Sequence, residues 1–219
     1  LGLGGLGGKL GDRCLDALMA VIERQGWQNT TLQSIAAAAG LPVWQLVLSA
    51  GSCFDMLAKF GRRADIAALR SLDGGDASLS TRDRLFDLIM ARLDAHQPYK
   101  GAIRKLADAA CTDPGLAAFF ACHLPRSMRV LADAAGVNVT GLSGMAKVQG
   151  LTCLYLSVTR TWLRDDTPDM ARTMAALDQA LGRAERWCDR FSWRARQSAA
   201  SGPSAAPDAS STPGGTQPA

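Results

Sequence analysis

The chain has 219 residues, 47% of them apolar and 20% charged, with a formal net charge of +4. That length is one domain or two small ones and buries a proper core, and the composition is ordinary for a globular protein. The mild positive charge permits an anionic partner, nucleic acid or lipid headgroups, without demanding one, and no apolar run approaches the ~20 residues of a membrane-spanning helix.

Leu and Ala are abundant and runs of alternating β-branched and polar residues are scarce, so helix is expected throughout. The opening LGLGGLGG formally fits G-x-G-x-x-G. A dinucleotide site needs a strand before that motif, so residues 1–8 are read as a flexible tail. Leu10, Cys14, Leu18, Val21 and Ile22 fall at helical spacing, and their helix stops at Gly26. Thr30 or Thr31 can cap a second helix with Leu32, Ile35, Ala36 and Ala39 as its apolar positions. Gly40 suits a left-handed helix end, and Pro42 opens a third helix where its missing N–H does no harm.

A longer helix follows over residues 52–72, closed by the loop DGGDAS. In TRDRLFDLIMARLDAH, Leu85, Leu88, Ile89 and Leu93 share one face, with Arg82, Asp83, Arg84, Asp87, Arg92 and Asp94 largely on the other. Pro98 opens a helix through Leu106, and Asp113-Pro114 opens another, broken or bent at Pro125. GVNVTGLSG reads as a loop, and Met145 to Leu163 as the most apolar helix. Thr167 is placed as the cap and Pro168 as the first position of a last helix through Met174, Leu177 and Leu181 toward Trp187. Residues 199–219 are small, polar and Pro-rich and are expected to be disordered.

A helix-turn-helix needs a small residue where its helices meet, a glycine to turn and an apolar residue to lock the second helix down. Ala36, Gly40 and Leu41 with Leu46 supply these in order. Gly26-Trp27, the Thr-capped helix, Ile35-Ala36 and Ala39-Gly40 resemble the TetR family of bacterial regulators over roughly residues 9–190. The resemblance implies an all-α fold: an N-terminal three-helix unit with a helix-turn-helix (9–52), and a larger helical dimerisation and ligand-binding domain (53–198). It also implies a cytoplasmic homodimer that binds double-stranded DNA. The carried-over DNA contacts are Arg13, Thr31, Trp44, Gln45, Ser49 and Ser52, with Gln45 able to pair with adenine. The departures are Val43, Trp44 and Val47 where polar and aromatic groups are usual, and Cys53 where a lysine grips phosphate.

LYLSVTRTWLRDDTPDMARTMAALDQAL is similar to the TetR-fold lipid-binding protein of ubiquinone biosynthesis, matching at Tyr155, Asp165, Pro168, Asp169, Thr173, Leu177 and Asp178. That likeness implies an isoprenoid lipid as ligand and a role at membranes without DNA reading. Arg183, Arg186, Arg190 and Arg194 lie along one helical face, with Trp187, Cys188 and Phe191 on the neighbouring face and Trp193 a further candidate in the same stretch, a pattern that suits a helix on an anionic membrane surface. The alternative is the last helix of a bundle, with Trp187 and Phe191 packed and the arginines solvated.

Phe86, Met90, Phe119, Phe120, Met128, Tyr155 and Trp162, with Leu151 and Val158, are candidates to line an apolar pocket between the larger helices. They are also ordinary core residues. Six single cysteines without a CxxC pair, and no recognisable signal peptide, point to buried reduced thiols rather than disulfides or zinc. His96 and His123 lack acidic or thiol partners at metal-ligand spacing, and Asp165, Asp166 and Asp169 read as helix caps. With no catalytic constellation, metal set or cofactor motif legible, the chain is not expected to be an enzyme.

Overall fold

The computed structural model describes the backbone of residues 3–73 and 79–200 and the side chains of residues 9–73 and 79–186. Nine α-helices and two short 3-10 turns account for them, with no strand among the described residues. The helices are α1 (Leu3–Gln25), α2 (Leu32–Ala39), α3 (Val43–Ala50), α4 (Cys53–Arg70), α5 (Thr81–His96), α6 (Lys100–Ala109), α7 (Pro114–Ala134), α8 (Gly141–Leu163) and α9 (Ala171–Ala200). The chain divides into two compact units, residues 1–181 and residues 182–219. The tail read over residues 199–219 lies almost wholly outside the described residues, as do the side chains of Trp187, Cys188, Arg190, Phe191 and Trp193.

Local chemistry fixes most of the boundaries. Thr31 caps α2 in a reciprocal box with Ser34, and Gly40 closes it in the left-handed conformation at φ 64°. Leu41 N–H then reaches back to the Ala36 carbonyl at 3.0 Å, so the chain turns sharply into α3. Asp113 caps α7 through the Leu116 N–H at 3.0 Å, and its other oxygen accepts from Trp27 Nε1 at 3.0 Å.

The larger unit has two buried clusters. The first joins α1, Ile35, Ala36 and Ala39 of α2, Leu46 and Ala50 of α3, Met56, Leu57 and Phe60 of α4, Leu106 of α6 and Leu116 of α7. The second joins Leu88, Ile89 and Leu93 of α5, Met128 and Leu131 of α7, Tyr155, Val158 and Trp162 of α8 and Leu177 and Leu181 of α9. Helices α4 and α7 contribute to both, so they tie the helix-turn-helix to the bundle.

Six sequence expectations change. Helix α1 begins at Leu3 and takes in the glycines read as a tail. Helix α7, expected to break or bend at Pro125, continues through it without a break. Helix α8 starts at Gly141 rather than Met145, with Gly144 so close to Val139 that a Cβ would lie 2.1 Å from its carbonyl carbon. The last helix starts at Ala171, because Asp165, and not Thr167, organises the turn. One carboxylate oxygen accepts from Thr167 N–H and Oγ1, and the other accepts from Thr173 N–H at 2.8 Å and Oγ1 at 2.7 Å. Those bonds hold the Asp165 carboxyl well below the usual carboxylate range. The thiols also differ: Cys14 is buried, while Cys111, Cys122 and Cys153 are exposed.

The sixth change is Arg92, expected on the polar face of α5 and found 3% exposed. Its Nε donates to Asp65 Oδ1 at 2.7 Å, Ser127 Oγ donates to the same oxygen at 2.6 Å, and Nη1 bonds the Tyr155 hydroxyl. Beside it His96 stacks on Phe60 at 5.1 Å, and burial together with the Arg92 and Arg63 charges drives its pKa well below normal, leaving the ring neutral. Asp65→Ala would strand the buried guanidinium and should cost about 3–5 kcal/mol in urea unfolding. A loss within about 0.5 kcal/mol, the usual scale for surface substitutions, would show that Arg92 is solvated in the native state.

Candidate nucleic-acid interface

Helix α3 must bury one stripe to stay in place, and its short length leaves the opposite stripe outside. Leu46 and Ala50 are fully buried against the first cluster. The opposite face carries Val43, Trp44, Val47 and Leu48, which are 38%, 69%, 44% and 79% exposed. Exposed apolar residues in one contiguous face, rather than scattered singly, mark an interaction surface.

The face has no ionised group of its own. Residues 25–54 contain no Asp, Glu, Lys or Arg, a charge-free run legible in the sequence, though only the structure shows that it encloses an exposed helix. Cations stand at its two ends instead. Arg13 on α1 donates from Nη2 to the Ala39 carbonyl at the end of α2, and Lys59 on α4 donates from Nζ to the Ala50 carbonyl at 2.9 Å. Each cation therefore complements the negative end of a helix.

The six carried-over DNA contacts fare differently. Trp44 is on the outer face. Gln45 and Ser49 are half-buried on its flank, with the Ser49 hydroxyl donating to the Gln45 carbonyl at 2.8 Å. Thr31 is bonded in the α2 cap, and Arg13 is held beside the turn into α3 by the Ala39 carbonyl. Ser52 caps α4 in a reciprocal box with Asp55, whose carboxylate accepts from Ser52 N–H at 2.9 Å and Oγ at 2.7 Å. The bonds from Ser52 keep that carboxyl below its ordinary pKa, so the helix end expected to receive a phosphate already holds an anion.

The pocket candidates separate into two places. Met128, Tyr155 and Trp162 are buried in the second cluster with Phe86 and Met90 packed on it, while Phe119 and Phe120 pack on the first. An open cavity of about 420 Å³ lies along α7, lined by Phe54, Gly115, Ala118, Phe119, Cys122, His123 and Arg126. Three of its lining residues form a row of rings, Phe54 to Phe119 at 5.3 Å and Phe119 to His123 at 4.0 Å, which Trp27 continues beyond the lining at 5.2 Å from Phe54. Of the membrane-surface candidates, Arg183 and Arg186 are exposed on α9, and the others lie outside the described side chains. No single described helix is long and apolar enough to cross a membrane, and no group of three or more His, Cys, Asp or Glu among the described residues could hold a metal ion.

Neither a protein-family model nor a curated protein matches the chain. Among solved structures, a TetR transcriptional regulator from Nitrosomonas europaea superposes with a TM-score of 0.65 at 20% identity, covering 81% of this chain and 98% of its own. A TetR transcriptional regulator from Rhodococcus sp. RHA1 gives a TM-score of 0.55 at 12% identity, covering 78% of this chain and 93% of its own. A further transcriptional regulator from that strain gives 0.54 at 17% identity, over 80% of this chain and 96% of its own. The chain has the all-α fold of the TetR regulators, with an N-terminal helix-turn-helix and a larger helical bundle.

The two stripes of α3 should separate cleanly in stability measurements. Leu46→Ala empties a fully buried site and should cost about 2–5 kcal/mol. Leu48→Ala, at 79% exposure, should stay within about 0.5 kcal/mol of the parent in the same urea titration. Equal losses for the two would mean that α3 is not seated as described.

Proposed function

We propose that the chain is a cytoplasmic, DNA-binding transcriptional regulator that acts as a homodimer and presents α3 to duplex DNA. The observation that carries this reading is the complete helix-turn-helix frame. Ala36, Gly40 and Leu46 stand where such a unit needs them, with α3 turned outward beyond the buried stripe. Affinity on this frame comes from cations outside α3, since α3 has none, so binding should be salt-sensitive but shallow in slope.

Pairing of two chains is supported by the outer face of α8. Leu142, Met145 and Leu156 are 86%, 58% and 41% exposed, and Ala146, Gly150 and Cys153 lie exposed between them at helical spacing. Such a stripe is self-complementary about a two-fold axis, with small residues that let two helices approach. A two-fold dimer in turn requires two half-sites about one helical turn apart. The ligand of such a regulator would be an apolar small molecule, acting by favouring a dimer geometry that no longer spans those half-sites.

A lipid-binding protein of ubiquinone biosynthesis, acting at a membrane without reading DNA, is the second reading. The charge-free run and apolar face of α3 favour it. Several residues that carry that likeness have structural work here: Tyr155 bonds Arg92, Asp165 and Thr173 fasten the start of α9, and Leu177 is core.

Met145→Glu places a carboxylate in the proposed seam and should convert the dimer to a monomer in sedimentation equilibrium while leaving the helical signal intact. The parent chain should retain two-fold symmetric sites from a random duplex pool in a salt-dependent way, and the monomeric variant should not. A parent that sediments as a monomer at micromolar concentration would remove the dimer from the proposal.

A further inference from the structure

Hydrogen-bonding side chains usually read base edges, but the outer face of α3 offers none. Its exposed positions are Val43, Trp44, Val47 and Leu48, and the nearest polar side chains, Gln45 and Ser49, are half-buried on its flank. In the major groove one base carries an apolar group at its edge, the C5-methyl of thymine. A helix 10–12 Å across fits a groove about 12 Å wide, so a face of branched and aromatic side chains would meet those methyls directly.

The charges fit the same occupant. Arg13 is held at the end of α2, where the chain turns into α3, and Lys59 at the end of α3 itself, each by a bond to a helix-terminal carbonyl. They place one cation at either end of an uncharged face, as a helix lying between two phosphate backbones requires. Asp55 beyond α3 disfavours a phosphate at the N-terminus of α4, and Lys59, one turn further along α4, is the cation placed at the end of α3.

We propose that α3 reads thymine. Val43, Trp44, Val47 and Leu48 pack on C5-methyl groups in the major groove, and Arg13 and Lys59 meet the phosphates at the two ends of the helix. This rests on the DNA-binding reading above and goes beyond it by naming the bases read and the physical term that reads them. Discrimination then comes from apolar burial rather than hydrogen bonding. It should be lost when the methyl is removed, even though the hydrogen-bonding edge of the base is unchanged.

The test uses the parent protein throughout. Sites are first selected from random duplexes, and the enriched duplex is then remade with deoxyuridine in place of thymidine, which deletes only the C5-methyl. Burial of one such group is worth ~0.8 kcal/mol, so each contacted thymine should weaken binding about fourfold on substitution. A half-site contacted at two thymines should weaken by more than tenfold. Deoxyuridine placed only in the flanks should change nothing.

Enrichment of thymine-containing half-sites with that loss supports the proposal. Enrichment with equal binding of the deoxyuridine duplex overturns methyl reading while leaving the DNA-binding reading in place. Absence of any enrichment, with retention of the protein on vesicles of phosphatidylcholine and phosphatidylglycerol, overturns both and makes the α3 face a lipid-docking surface.

Discussion

The structure depends on how Leu46 and Ala50 are held. Both are wholly buried, packed with Ile35, Ala36 and Ala39 of α2 and the apolar stripe of α1. Because α3 is short and its buried stripe is fixed by the turn at Gly40, the face it shows outward is determined. Val43, Trp44, Val47 and Leu48 are exposed as a consequence of that seating. Keeping so apolar a face in water is unfavourable, and a partner that covers it would supply the compensation.

The seating of α3 is connected to the rest of the molecule through α4 and α7. Phe60 of α4 stacks on His96 at the end of α5, and Tyr99 meets Phe60 edge-on at 5.1 Å. About one and a half turns further along α4, Asp65 holds the buried Arg92, and α7 supplies Ser127 to the same carboxylate. At the other end of α7, Asp113 accepts from Trp27 next to the helix-turn-helix. A shift of α4 against α5 and the turn that follows it would therefore disturb a buried ion pair and two aromatic contacts together. That makes small sliding motions costly and favours discrete arrangements.

Much of this was legible in the sequence where local chemistry decides the outcome. Thr31 and Gly40 mark helix boundaries because capping is a short-range hydrogen-bonding problem. Leu46 is readable as the anchor of α3 from its spacing to Ala36 and Gly40. Arg92 was not, because its partners Asp65, Ser127 and Tyr155 are distant in sequence and periodicity assigns every charge to the wet side. Glycine propensity hid the first turn of α8, where close packing of Gly144 on Val139 outweighs entropy. The aromatic candidates were grouped by type, whereas α7 is long enough to send Phe119 to one cluster and Met128 to the other. The sequence located the second helix of the helix-turn-helix and its polar side chains, Gln45 and Ser49. What it did not show is that both are half-buried and that Ser52 is bonded in the cap of α4.

The central claim is that the outward face of α3 is the working surface of the molecule. It is tested most directly by a Trp44→Ser/Leu48→Ser double variant, first shown to unfold at the same urea concentration as the parent and then compared with it in selection from random duplex DNA. The account predicts that the variant keeps weak, salt-dependent retention of any duplex and loses enrichment of the parent's symmetric site. Enrichment of the same site to the same extent by both proteins would contradict it.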